Sequence, residues 1–225
     1  EGDKWGGKYL RAPDIFFTIL EKGKDKLVKL GDIADVRRGF TTGANEFFYL
    51  DEETIAKWKI EPEFLRPVIK SPRECSRIMV DNNALQLKVF FCNLDKNNLA
   101  GKNALKYIEW GEQQTVVIKQ GAKKGKMVKG YNKLETLKNK KMWWSLGERN
   151  FPNIVWLKTV DVIHKQSILI SDTFVDQRLY EIYSADPQHD ILMLNSTIFF
   201  IFKELNGRSN LGDGALDTAV YEAKR

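Results

Sequence analysis

Between residues 12 and 58 the apolar positions change period, from a helical stripe to blocks of strand-forming residues and back. Ile15, Phe16, Ile19 and Leu20 recur at helical spacing behind Ala12-Pro13-Asp14. Proline suits a first helical turn and Gly23 suits a stop, so a helix is predicted from Ala12 to about Lys22. Residues 27–50 read as a strand–loop–strand unit, because Ile33, Val36, Phe47, Tyr49 and Leu50 favour pleated, part-buried positions. A short helix capped by Asp51 is predicted over 51–58. Pro62, Pro67 and Pro72 punctuate an extended stretch through Arg73, and Leu85, Leu87, Val89 and Phe91 alternate as a half-buried strand. Leu105, Ile108 and Trp110 give a short helix over 103–112 its apolar members. Glycines at 121, 125 and 130 then break the chain before a predicted helix at 132–140. Three strands follow at 154–157, 167–170 and 179–183. Asp186-Pro187 opens the longest predicted helix, with Ile191, Leu194, Ile198, Phe202 and Leu205 at helical spacing and Gly207 as its C-terminal cap. Ser209 to Gly214 is a glycine-rich loop. With strands grouped rather than alternating with helices, the expected class is α+β, with mixed sheets and peripheral helices. Residues 1–24 are expected to form a linker and helix, and 25–225 one domain.

Composition supports a packed core: 43% of the 225 residues are apolar and 12% aromatic. Two cysteines, Cys75 and Cys92, and nothing resembling a signal peptide fit a reducing cytoplasm. No apolar run approaches the roughly 20 residues of a membrane span. The chain starts at Glu1 without Met, and residues 219–225 read as a departing strand, so a fragment of a longer polypeptide is expected.

Charge changes the picture more than composition does. Residues 119–141 hold nine lysines and one acid, a segment of +8, and the remaining 202 residues sum to −2. A concentrated patch of this kind is the footprint of a polyanion binder, or else a solvated loop kept basic for solubility. Lys123, Lys124, Lys126 and Lys129 are its candidate phosphate contacts. Trp143-Trp144 follow at once, and Trp144 is a candidate platform for stacking on a base. Both tryptophans equally suit core anchors.

A second candidate surface is the loop between the first two strands. Arg37-Arg38 match bidentate recognition of phosphate or guanine. Thr41, Thr42 and Asn45 offer hydroxyl and amide groups to a phosphate or base edge. An ordinary glycine-bounded hairpin with solvated arginines fits the same residues. If one arginine of the strand faces DNA, its neighbour faces the other way and pairs with an acid such as Asp35.

No catalytic constellation emerges. Gly121 to Met127 has one spacer too few for a phosphate-binding P-loop and a Met where Ser or Thr must hold magnesium. Two histidines and two distant cysteines do not make a typical zinc site. Asp213 with Glu222-x-Lys224 has the spacing of a metal nuclease core, but one such spacing is expected by chance among 30 acids. There is no glycine-rich dinucleotide-type turn and no Asn-Pro-Pro-Tyr or Asp-Pro-Pro-Tyr tetrapeptide of the kind that grips a flipped adenine. No catalytic, cofactor or metal residue is therefore assigned.

Several stretches, taken in order, resemble one family. They are Lys29-Leu-Gly-Asp-Ile-Ala-Asp-Val-Arg-Arg-Gly39 with Thr42-Gly-Ala-Asn45, then Phe64-Leu-Arg-Pro-Val-Ile-Lys70, Met142-Trp-Trp144, Leu192-Met-Leu-Asn-Ser196 and Leu211-Gly-Asp-Gly-Ala-Leu-Asp217. The chain resembles the C-terminal target recognition domain of adenine-specific DNA methyltransferases of restriction–modification systems, the TaqI-like and Eco57I-like group. More distantly it is similar to the recognition domains of type I specificity subunits. The resemblance covers about residues 5–225 and implies the fold of a DNA methylase specificity domain. It implies a module that reads double-stranded DNA and does not methylate by itself. S-adenosylmethionine and the adenine pocket would belong to a missing N-terminal methyltransferase domain of the same chain, possessed by a parent that methylates adenine and in some cases also cleaves. Carried over by residue, the Arg37–Asn45 loop is the first candidate for DNA contact, and Lys70 and Arg73 match a basic element after the Leu-x-Pro unit. The competing readings are a nuclease fragment with an unrecognised active site and a protein-interaction scaffold.

Overall fold

The computed structural model describes residues 11–119, 121–160, 164–207 and 216–224. In chain order the helices are α1 (Asp14–Gly23), α2 (Leu30–Ile33), α3 (Asn45–Phe48), α4 (Glu52–Trp58), α5 (Asn103–Gln113), α6 (Pro187–Leu194), α7 (Thr197–Asn206) and α8 (Val220–Ala223). The strands are β1 (Ala34–Arg38), β2 (Tyr49–Leu50), β3 (Leu65–Ile69), β4 (Lys88–Phe90), β5 (Thr115–Val117) and β6 (Met127–Lys129). Then come β7 (Ile154–Trp156), β8 (Thr159–Val160), β9 (Gln166–Ile168), β10 (Phe174–Val175), β11 (Tyr180–Ser184) and β12 (Leu216–Asp217). The class is α+β, with two isolated parallel bridges, Phe40↔Asp176 and Met79↔Ile168, besides the sheets. The chain divides into two compact units. One comprises Glu1–Phe40, Ile69–Asn82 and Phe151–Arg225, the other Thr41–Val68 and Asn83–Asn150.

The first unit is built on an antiparallel sheet in the order β1-β11-β7-β9. Val36, Ile154, Trp156, Tyr180 and Ile182 bury one face of it against Leu30, Ile191, Leu194 and Ala223. Residues 78–80 run along β9: the Ile168 N–H donates to the Ile78 carbonyl at 2.7 Å and the Val80 N–H to the Ile168 carbonyl at 3.1 Å. The single long helix predicted from Asp186 is two helices. The Asn195 side chain accepts the Gln166 N–H at 2.9 Å and donates to the carbonyls of Gln166 and Ile191, tying the break to β9. A short polar side chain that bonds backbone in this way competes with the helical ladder. Ser196 then caps α7 by accepting the Phe199 N–H at 3.2 Å. The predicted C-terminal strand is the helical turn α8, with buried Ala223 in the core and the Lys224 carbonyl accepting the Gly31 N–H at 2.9 Å. The loop Ser209 to Gly214 lies outside the described residues.

In the second unit β4 pairs antiparallel with β3 on one side and β2 on the other. The strand predicted over 85–91 shortens to β4, where Val89 and Phe90 are both fully buried. Burial on both faces replaces the half-buried alternation. Phe47 centres the core: it stacks on Tyr107 at 4.8 Å and contacts Phe48, Phe90, Tyr131 and Trp143. Helix α5 buries Ala104, Tyr107, Ile108 and Gly111, a stripe at i, i+3, i+4 and i+7, while Leu105 and Trp110 are only half-buried. Asp51 caps α4 as the sequence predicts, accepting the Thr54 N–H at 2.8 Å.

Two further expectations fail here. Residues 132–140 are not a helix; they form a short 3-10 turn, Tyr131–Lys133, followed by turns that plant the buried Leu137 side chain. The strand–loop–strand unit expected over 27–50 has its two strands, β1 and β2, but they do not pair with each other, and two of its expected strand residues are helical. Ile33 ends α2, Phe47 sits in α3, and β1 and β2 pair with β11 and β4 in separate sheets.

Candidate nucleic-acid interface

The arginines and the polar residues of the 37–45 loop belong to different units. In the first unit, Arg37 and Arg38 project from the end of β1 and both are exposed. The Arg37 Nε and Nη2 both reach Asp35 Oδ2 at 2.6 Å, and its guanidinium lies 5.0 Å from the Tyr183 ring. The Asp35 hydrogen bond and charge raise the Arg37 pKa above its ordinary value. Arg37 is thus the arginine that takes the acid pairing expected for one of the two. Arg38 donates to the Gln177 carbonyl at 3.2 Å and to its amide oxygen at 3.4 Å. Gly39 is needed for packing against protein: a Cβ there would stand 2.2 Å from the Asp176 carbonyl oxygen and 2.5 Å from that of Val175.

In the second unit, Thr42 is 2% exposed. Its hydroxyl donates to Asn45 Oδ1 at 2.5 Å and accepts the Ala44 N–H at 3.0 Å, fastening the entry to α3. This corrects its assignment as a DNA contact, since a hydroxyl already donating and accepting inside the fold has nothing left for a phosphate. Thr41 and Asn45 are exposed. Gly43 has φ +78°, a conformation that suits glycine, and its carbonyl accepts the Thr136 hydroxyl at 2.8 Å.

Lys70 and Arg73 flank a tight corner of the first unit. Glu74 accepts the backbone N–H groups of Lys70 at 2.7 Å and Ser71 at 2.8 Å, and Ser71 completes a capping box around Pro72–Glu74. Arg73 is exposed and Lys70 half-buried.

The lysine-rich segment contains a β-hairpin that only Gly121 and Gly125 announce in the sequence. β5 and β6 pair in the register Thr115↔Lys129, Val116↔Val128 and Val117↔Met127. The ladder continues toward the tip, where the Ile118 N–H donates to the Lys126 carbonyl at 2.9 Å and the Gly125 N–H to the Ile118 carbonyl at 2.8 Å. Val116, Val128 and Ile118 turn inward, toward the core. Residues 115–129 carry five lysines and no acid. Lys119 pairs with Glu46, and Lys123 with Glu135 at 2.9 Å. Hydrogen bonds from Lys138 and Lys123 hold the Glu135 carboxyl down at about 2, so it stays ionised wherever the protein is folded at ordinary pH. Lys124, Lys126 and Lys129 are exposed, and no side-chain partner is found for them among the described residues.

Trp144 is corrected as well. It is 6% exposed, its indole N–H donates to the Leu94 carbonyl at 3.2 Å, and Lys96 Nζ lies 5.7 Å from its ring. Trp143 is 4% exposed and donates to Glu112 at 2.9 Å. The core-anchor alternative describes both, and Trp144 has no open ring face on which a base can stack.

Two features lie outside the expectations drawn from the sequence. The exposed apolar pair Val117 and Met127 was legible as period-two alternation either side of Gly121–Gly125, the ordinary hairpin signal. The buried Lys203 of α7 had no sequence signal, because its burial comes from the packing of α7 beside Leu157 and Trp156. Among the described residues no group of three His, Cys, Asp or Glu is placed to hold a metal, and no helix is long and apolar enough to cross a membrane. Asp213 of the nuclease-like spacing lies outside them. Every strand pair whose register is given above is antiparallel.

The fold is similar to part of a known structure, that of the type IIG restriction endonuclease BpuSI. The match has a TM-score of 0.67 at 12% identity and covers 94% of this chain and 25% of that one. The chain thus spans about a quarter of the length of that enzyme. The family model for the type II methyltransferase M.Eco57I, C-terminal domain, matches residues 2–225. With that match running through the lysine hairpin, the Arg37–Asn45 loop and the Lys70–Arg73 corner alike, the chain belongs to the M.Eco57I C-terminal domain family of type II methyltransferases.

Proposed function

We propose that this chain is the double-stranded DNA recognition module of a restriction–modification methyltransferase, non-catalytic by itself and working beside a catalytic domain of the same polypeptide. The observation that carries the reading is the segment of +8 at residues 119–141, with Lys124, Lys126 and Lys129 presented on a hairpin. Lysine is a hydrated point charge on a flexible stem, suited to phosphate. Arg37, Arg38, Thr41, Asn45, Lys70 and Arg73 remain candidate contacts on the two units. Membership of a methyltransferase C-terminal family and the likeness to part of BpuSI support the reading. We further propose an adenine-methylating parent that holds S-adenosylmethionine outside this segment, in the cytoplasm where its DNA is.

The test is duplex binding by fluorescence anisotropy over a range of salt. If about four to six phosphates are neutralised, log K should fall against log salt with a slope of about −4 to −5. A flat response, or no binding at low salt, would leave the scaffold reading in its place. Magnesium-dependent cleavage of the same duplex would favour the nuclease reading.

A further inference from the structure

The outward face of the hairpin carries an apolar pair where solubility calls for none. Val117 and Met127 are directly opposite each other across the ladder, 46% and 71% exposed. Thr115 and Lys129 form the neighbouring outward pair. Single exposed apolar side chains are ordinary. Here two of them adjoin at the middle of a ribbon that is otherwise lysine and threonine on its outer face, with no acid anywhere in residues 115–129.

We infer that this face reads the major groove of DNA, with Met127 and Val117 against thymine methyl groups and Lys124 and Lys129 on the flanking phosphates. The inference rests on the proposed DNA-binding reading and deepens it. Three physical points favour this occupant. The charge around the pair, five lysines and no acid in residues 115–129, complements a polyanion and repels a basic protein surface. A two-stranded ribbon fits the major groove, which is about 12 Å wide. The C5-methyl of thymine is the apolar group that a base pair presents there, and it distinguishes T·A from the other pairs. Lysine alone does not specify sequence, because phosphate contacts position a protein without reading bases. An apolar pair on the same face supplies the missing discrimination. The hairpin is also held firmly enough to keep a register: Val116 and Ile118 anchor its inner side, and the Gly130 N–H closes its base on the Gln114 carbonyl at 2.7 Å.

The experiment uses the 225-residue chain. A preferred duplex is first selected from a random pool at low salt. Each thymine in it is then replaced by deoxyuracil, which removes only the methyl group. Binding is measured for wild type, Met127→Ala and Val117→Ala, whose exposed side chains leave folding intact, as circular dichroism should show. At one or two positions the missing methyl should weaken wild type about fourfold, the worth of one buried methylene-sized group. The same replacement should change binding of the matching Ala variant less than about twofold, since the contact is already gone. Uncoupled effects at every thymine would overturn the inference while leaving DNA binding in place. So would selection that yields no sequence preference. If Met127→Lys abolished self-association in sedimentation and left DNA binding untouched, the pair would be a protein contact instead. Absence of any duplex binding by wild type would overturn the proposed function itself.

Discussion

A buried lysine and a buried threonine show how far a side chain's role depends on its surroundings. Thr42 has the residue type of a DNA contact but spends its hydroxyl on Asn45 and Ala44. Lys203 has the residue type of a solvated charge but is 3% exposed, donates to the Leu157 carbonyl at 3.1 Å, and lies 5.2 Å from the Trp156 ring. Burial draws its pKa down from 10.5 to about 7, against a smaller opposing pull from Glu204. Between these two values the unfolded chain holds a proton that the folded chain has released, so stability rises with pH. The contribution is complete above the unfolded value and is lost as pH falls through about 7. Its slope is at most about 1.4 kcal/mol per pH unit, one proton's worth. Lys203→Met should therefore flatten the rise in denaturant-measured stability between pH 7 and 10. Equal pH dependence in wild type and variant would show that Lys203 keeps its proton, and water with it, in the folded protein.

At the scale of elements, the proposed reading of the hairpin separates charge from specificity. The hairpin's lysines sit on flexible stems suited to phosphate, whereas the Val117–Met127 pair is fixed by strand register. Replacing Lys123, Lys124 and Lys126 together by Ala should weaken binding to all duplexes about equally. The salt slope should become shallower by about one unit for each lysine that touches a phosphate. Lys123 already bonds Glu135, so it should contribute least. A change in the preferred sequence after these substitutions would mean that the lysines read bases. The elements themselves were unevenly legible. Helix α1, the Asp51 cap of α4 and the three strands after Pro152 follow from local chemistry that tertiary contacts do not override. The break at Asn195 depends on hydrogen bonds to β9, about thirty residues upstream, which no local pattern contains.

For the whole molecule, two compact units each hold a hydrophobic core of their own. No glycine-rich cofactor turn or Pro-Pro tetrapeptide occurs in the sequence. The chain alone is therefore expected neither to bind S-adenosylmethionine nor to transfer its methyl group. Calorimetric titration checks this, and stoichiometric binding would place a cofactor site within these residues. The sequence by itself determined the α+β class, the family, the basic segment and most element positions, because period, capping residues and charge are local properties. Tertiary structure alone decided which of the candidate residues face solvent. Gly39 meets the carbonyls of Val175 and Asp176, over a hundred residues away. Phe47 gathers Tyr107, Tyr131 and Trp143 around itself, and so draws the Trp143-Trp144 pair out of reach of any base. β1 and β2 join different sheets because their partners, β11 and β4, lie far along the chain. Pairing and burial are contacts between distant residues, and a pattern read within a short window does not contain them.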